Sequence, residues 1–162
     1  MNERAIVAAP EIRRGTAEEV ETFGEFWLAM FEEVGNYSEC DFLDDWRDRF
    51  RRYLQHRMNE GDAAFFVATD GARIVGTAGA IVSDGYPFVV HGVKRGYVFG
   101  VRVDPAFRGI GAATALTRAS VAFLRTLGCE RIRLHASRFG RPIYERLGFV
   151  PTNEMELLPS SG

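Results

Sequence analysis

Arg108 to Ala113 read RGIGAA, two glycines set between a β-prone run, YVFGVRV, and a stretch with helical period, TALTRASVAFLRTL. These residue types at this place can bind an anion. The first amides of a helix have no partner within it and lie at the positive end of its dipole. Gly109 and Gly111 would leave that backbone bare to a phosphate, and small Ala112 and Ala113 would keep the entrance open. Arg108 adds a charge able to pair with phosphate. The pattern is that of a diphosphate cradle, although a turn needing glycine only for packing accounts for the two glycines equally well. Other phosphate loops fit less well. GK[ST] is missing, so a triphosphate loop is not indicated, and GIGAAT lacks the third glycine of the dinucleotide fingerprint.

The elements that must position this turn can be read from the pattern. EIRRG reads as a short strand, and Thr16 and Glu19 have capping-box spacing before a helix whose apolar face is Val20, Phe23, Trp27, Met30 and Phe31. Gly35 and Asn36 stop it, and a second helix begins near Ser38 or Asp41 and runs to Gly61 with Phe42, Trp46, Phe50 and Leu54 as its stripe. AAFFVAT and IVGTAGAIV, joined by DGAR, read as a hairpin. After a loop through SDGYPFVVHGVKRG come the strand YVFGVRV, a helix from about Arg108 to Leu127, a strand RIRLHAS, a short helix in RPIYERLGF and a last strand in EMELL. The order is β-α-α-β-β-β-α-β-α-β, a mixed α/β (α+β) arrangement in one domain over residues 1–162.

At 162 residues the chain can bury a sizeable core, and 46% hydrophobic residues suit a globular protein. Twenty Lys and Arg against 22 Asp and Glu give no electrostatic case for nucleic acid or an anionic membrane. No run approaches the ~20 apolar residues of a membrane span, and the first residues lack a signal-peptide core. Cys40 and Cys129 form no CxxC pair and read as two thiol packing residues of a cytoplasmic protein. No metal site is expected.

Arg108 to Ala113 matches R/Q-x-x-G-x-G/A, and Pro142 to Phe149, PIYERLGF, is similar to a second family motif one helix and one strand downstream. The chain thus resembles the GCN5-related N-acetyltransferase (GNAT) superfamily over most of its length. The resemblance implies a central mixed, mostly antiparallel sheet of about six to seven strands flanked by about four helices. It also implies acetyl-CoA as co-substrate, its diphosphate on the amides of Gly109, Ile110, Gly111, Ala112 and Ala113, with Thr114 assisting. The pantetheine arm would pair with the backbone of Val101 to Val103, which requires strands 97–103 and 131–136 to splay apart. Gly100 in mid-strand suits a bulge or a packing accommodation.

Aminolysis of a thioester needs a donor to its oxyanion, here a backbone N–H near Val101. The departing thiolate needs a proton, and Tyr144 stands where the family commonly keeps a tyrosine for that, or else it only packs on Phe149. The attacking amine, with a pKa near 10, needs a base. Many relatives keep a glutamate on the fourth strand, but YVFGVRV has no carboxylate, so His135, Glu25 and Glu33 are the candidates. Ser137 and Gly140 stand where many relatives carry asparagine and alanine, and the Ser137 hydroxyl retains the capacity to bond pantetheine. Arg138, Arg141 and Arg146 are candidates for the ribose phosphate.

The reading that follows is an acetyl-CoA-dependent N-acetyltransferase acting on a primary amine of a small molecule by direct attack in a ternary complex. The alternatives are a protein or peptide N-acetyltransferase and a non-catalytic acyl-CoA-binding module. Carboxylates around the first two helices (Glu32, Glu33, Glu39, Asp41, Asp44 and Asp45) suit a cationic acceptor or are plain solvated faces, and Tyr86, Phe88 and Tyr97 suit a pocket or the core. Exposed sheet edges leave room for a homodimer.

Overall fold

In the computed structural model, residues 8–35, 37–83 and 94–158 are described. Strands β1 (Glu11–Arg14), β2 (Ala63–Asp70), β3 (Arg73–Ser83), β4 (Arg95–Val103) and β5 (Arg131–Arg133) form one sheet in that order. The first four pair antiparallel, and β5 joins β4 in parallel. The helices are α1 (Val20–Val34), α2 (Trp46–Asn59), α3 (Ala112–Thr126) and α4 (Arg141–Arg146). The parallel β4–β5 pair is bridged by α3, the strand–helix–strand unit that the central pattern anticipates.

Two hydrophobic layers hold the sheet. On one face, Val20 and Phe23 of α1 and Leu54 of α2 pack on Phe65 and Val67 of β2. On the other, Leu116 and Leu124 of α3 pack on Val75 and Ala78 of β3 and Val98 of β4. Each of these valine, leucine and phenylalanine side chains, taken wholly out of water, contributes about 1.5–3 kcal/mol. The Phe23 ring stacks on Phe65 at 5.0 Å between centroids and leans on Phe99 of β4 at 5.4 Å, so α1 is fixed against the strand that borders the site.

The entrance to α1 is built on charge. Glu19 accepts from the Thr16 backbone N–H (3.0 Å) and pairs with Arg13 of β1 at 2.7 Å. Chiefly through the Arg13 hydrogen bonds, its carboxyl falls from 4.5 to about 2. A depressed carboxyl stabilises the fold above the unfolded value and loses that contribution as pH falls through the folded one. Glu19→Gln is therefore expected to be less stable than wild type at neutral pH. In urea titrations the gap should close as pH drops from 4.5 towards 2.

Several boundaries differ from the sequence expectation. Five strands are present among the described residues, not six to seven. The expected last strand, EMELL, is not a strand: Met155 and Leu157 are almost wholly exposed, and among the described residues no neighbouring strand offers a ladder. RIRLHAS is β-paired only as far as Arg133. The third long helix starts at Ala112 and not near Arg108, because Gly109 and Gly111, at φ 80° and 86°, cannot be helical; a 3-10 turn (Pro105–Phe107) precedes them. The second begins at Trp46, with only a 3-10 turn at Glu39–Asp41 before it. Cys129 is buried as expected, whereas Cys40 is exposed and does not pack in the core. Asn36 and most of the SDGYPFVVHGVKRG loop, including Tyr86 and Phe88, lie outside the described residues.

Candidate active site

The site begins with an irregularity in β4. Thr77 of β3 pairs with Arg102 and Gly79 with Phe99, so Gly100 and Val101 together face the single residue Ala78. That is a β-bulge, and Gly100 sits in it at φ 61°. The Thr77 hydroxyl donates to the Gly100 carbonyl at 3.0 Å, which satisfies an acceptor that the bulge displaces. A Cβ at position 100 would lie 2.7 Å from the Phe23 ring, so glycine is required here by both dihedral and space. Gly100→Ala is expected to lower the melting temperature by several degrees in a thermal scan, since a strained dihedral and a core clash add.

On its other side β4 has β5 as partner only up to Tyr97, opposite Arg133. Beyond that pair β4 has no β5 partner, and Val101, Arg102 and Val103 line a cavity there, in keeping with the splayed arrangement. Gly109 (φ 80°) and Gly111 (φ 86°) carry the chain from the end of β4 to the mouth of α3 in a left-handed conformation open to glycine. Ala115 makes the first helical bond, to the Gly111 carbonyl at 3.0 Å. The amides of Ala112, Ala113 and Thr114 thus precede any intrahelical bond and lie at the positive end of a 15-residue helix. Apart from the adjoining chain, nothing stands within 4 Å of where a Cβ would be at 109 or 111, so both positions face open space.

A cavity of about 580 Å³ occupies this junction. It brings together Val101, Val103, Arg108, Gly109, Gly111, Ala112, Ala113, Thr114, Ser137 and Tyr144, nearly all the residues singled out in sequence for the cofactor. Ile110 is the exception: its side chain is exposed and off the cavity wall. Arg146 lines the same space; Arg141 does not, and Arg138 rests over the exposed Phe139 ring.

Tyr144, on α4, is 8% exposed, and burial pushes its phenol up to about 12. Its ring meets Phe149 edge-on at 6.0 Å, and a Cβ at Gly140 would come within 2.8 Å of it. An alanine at position 140 would therefore displace this ring. Ser137 caps the turn before α4, its hydroxyl oxygen accepting from the Gly140 N–H at 3.1 Å, and its own proton remains to donate into the cavity.

The three base candidates are dispersed. Glu25 is paired with Arg47 at 2.5 Å on the exposed side of α1. Glu33 lines the cavity, but Arg102 and Arg108 occupy both of its oxygens at 2.7 and 2.8 Å. His135 is not in this cavity. It lines a neighbouring one of about 860 Å³, where the Tyr97 hydroxyl is hydrogen-bonded to its Nδ1. Tyr144 belongs to both walls and so stands between the two spaces. Among the described residues, no group of three or more His, Cys, Asp or Glu could hold a metal ion. The sequence reading overlooked Arg102 and Asp104, which with Glu33 and Arg73 form a chain of ion pairs at the cavity mouth. Only the third dimension joins these charges, since Glu33 is distant in sequence from the rest.

An open mixed sheet that parts beside a bulged strand, with a bare helix mouth facing the gap, is the architecture of an acetyltransferase. The chain matches the acetyltransferase (GNAT) family over residues 28–149, and it belongs to that family. Among solved structures it is similar to a GCN5-related N-acetyltransferase from Ralstonia eutropha JMP134, at 30% identity and a TM-score of 0.79. That match covers 93% of this chain and 99% of the other. A predicted acetyltransferase with acetyl-CoA from Clostridium acetobutylicum matches at 22% identity and 0.79, over 92% and 95% of the two chains. The glucosamine-6-phosphate N-acetyltransferase of Arabidopsis thaliana shares the fold at 18% identity and 0.68, over 93% and 98%. No helix among the described residues is long and apolar enough to cross a membrane.

Proposed function

We propose that this chain is an N-acetyltransferase that takes acetyl from acetyl-CoA and delivers it to a primary amine of a small molecule within a ternary complex. The observation that carries the reading is the juxtaposition, in one cavity, of the bare mouth of α3, the free edge of β4 and the buried Tyr144. Acetyl-CoA supplies the activated acetyl thioester. The amides at 112–114 and the Arg108 guanidinium bind its diphosphate, and residues 101–103 align the pantetheine arm as an added strand. An amide at the bulge near Val101 donates to the thioester oxygen.

The acceptor nitrogen bonds to the acetyl carbon as the carbon–sulfur bond breaks. Tyr144 gives its phenolic proton to the departing thiolate. With a value pushed up to about 12, the phenol stays protonated at any working pH. His135, facing the second cavity, takes the proton released by the amine. Its Nδ1 is engaged by Tyr97; with that nitrogen as donor, Nε2 keeps the lone pair that can accept. Glu25 and Glu33 are spent on arginines and do not serve as the base.

A small acceptor is favoured because the second cavity is a recess bounded by β5, α4 and residues 149–157, and because the similar Arabidopsis protein is named for an amino sugar. Thiol release from acetyl-CoA, followed across polyamines, aminoglycosides, amino acids and short peptides, tests the reading. Turnover with free amines and none with peptides is the expected result. Turnover with peptides alone would assign a protein acceptor, and saturable binding with no acceptor would assign a non-catalytic module.

A further inference from the structure

One carboxylate on α1 occupies the arginine that the cradle would offer a phosphate. Glu33 Oε2 accepts from Arg108 Nη2 at 2.8 Å, while its Oε1 accepts from Arg102 Nη2 at 2.7 Å and from Nε at 3.2 Å. Arg108 is held at a second point, Nε donating to the Val103 carbonyl at 2.8 Å. All three residues line the cavity. Arg102 has its own second partner in Asp104 at 3.0 Å.

We propose that Glu33 is an affinity-setting residue: it competes with the diphosphate of coenzyme A for Arg108, and so governs how tightly the carrier is held and how readily it leaves. This rests on the cofactor reading above. The geometry makes the exchange inexpensive on both sides. Arg108 keeps its Val103 anchor when Glu33 lets go, so its head stays at the cavity. Glu33 keeps both bonds to Arg102, so its charge is not left unpaired. A diphosphate carries more charge than a carboxylate and outbids it for the guanidinium. In the carrier's absence Glu33 holds the arginine, which loosens the complex and favours departure of the product. Arg108 and Glu33 are both half-exposed, so the competition takes place in contact with solvent and is sensitive to salt.

Calorimetry with coenzyme A and with acetyl-CoA tests this on wild type, Glu33→Gln, Arg108→Gln and the double variant. Glu33→Gln should bind both carriers about fivefold more tightly, the upper end for one exposed ion pair. In kinetics its KM for acetyl-CoA and its inhibition constant for coenzyme A should fall together. With Arg108 already glutamine, the same change should move affinity less than about twofold, because nothing remains to compete for. High salt should shrink the wild-type difference. Unchanged or weaker binding by Glu33→Gln overturns the proposal and makes the carboxylate a scaffold for the arginines. Tightening that persists in the Arg108→Gln background overturns it also, since plain repulsion would then be the cause. If wild type gives no heat with either carrier, the cofactor reading itself falls and this proposal with it, an outcome separate from the other two.

Discussion

Tyr144→Phe lowers kcat for acetyl transfer about 100-fold or more, while the dissociation constant for acetyl-CoA stays within about threefold. The asymmetry follows from what the substitution removes. The ring, at 8% exposure, is packed against Phe149 and bordered by Gly140, and phenylalanine keeps all of that surface. Only the hydroxyl is lost, and the hydroxyl is the proton source for the leaving sulfur. A proton donor at the right place is worth about 10²–10⁴ in rate. Single-turnover mixing of enzyme, acetyl-CoA and an accepted amine separates the chemical step from release. The pH profile adds a second check. Because burial lifts this phenol to about 12, wild-type kcat should show no alkaline fall from its ionisation near its ordinary value of 10. A fall at 10 that disappears in the variant would show a solvated phenol and contradict the buried placement. Unchanged turnover in the variant would remove the residue from the reaction.

Gly111→Val abolishes measurable acetyl-CoA binding at concentrations that saturate wild type. Two effects act together. The backbone at 111 has φ 86°, a region that costs an L-residue about 1–2 kcal/mol and a β-branched one more. The new side chain also adds bulk at a position that lines the cavity beside the α3 amides, where beyond the adjoining chain nothing now lies within 4 Å. The strain alone should lower the melting temperature by several degrees, by about 2–4 °C per kcal/mol for a domain of this size. A folded variant, verified by circular dichroism, that shows no calorimetric heat meets the expectation. A folded variant with wild-type affinity would place the diphosphate elsewhere. Alanine at the same position should be intermediate, since it keeps the strain and halves the obstruction.

How much of this was legible beforehand depended on whether a feature is local. The cradle is: Gly109, Gly111 and the small residues after them occupy adjacent positions, and the backbone geometry there is set by those residues. The capping glutamate, the hairpin between β2 and β3, and the tyrosine helix are local in the same sense. Features that depend on pairing between distant segments were not. EMELL has strand composition, but a strand exists only where another lies beside it, and none does among the described residues. RIRLHAS has strand composition throughout, but pairing with β4 stops after Tyr97, which no residue of that segment announces. The turn from Arg108 to Gly111 runs straight into the periodic stretch after it, but the left-handed backbone at Gly109 and Gly111 delays α3 to Ala112. A carboxylate beside a reaction site, such as Glu33, is ordinarily expected to accept a proton. Its two arginine partners, from the end of β4 and the cradle, give it different work.

The bulge at Gly100 also decides which side of the sheet each neighbour serves. Val98 and Val101, three positions apart, would point to opposite faces of an unbroken strand. Here both join the layer under α3, whereas Phe99 meets α1 and Arg102 lies over the ring of Phe26 on that same helix. A β4 that kept every residue in regular alternation, with no bulge at Gly100, would turn over all the residues after it. The valines of the pantetheine edge would then be buried under α1, and the guanidinium that anchors Glu33 would be driven into the hydrocarbon beneath α3.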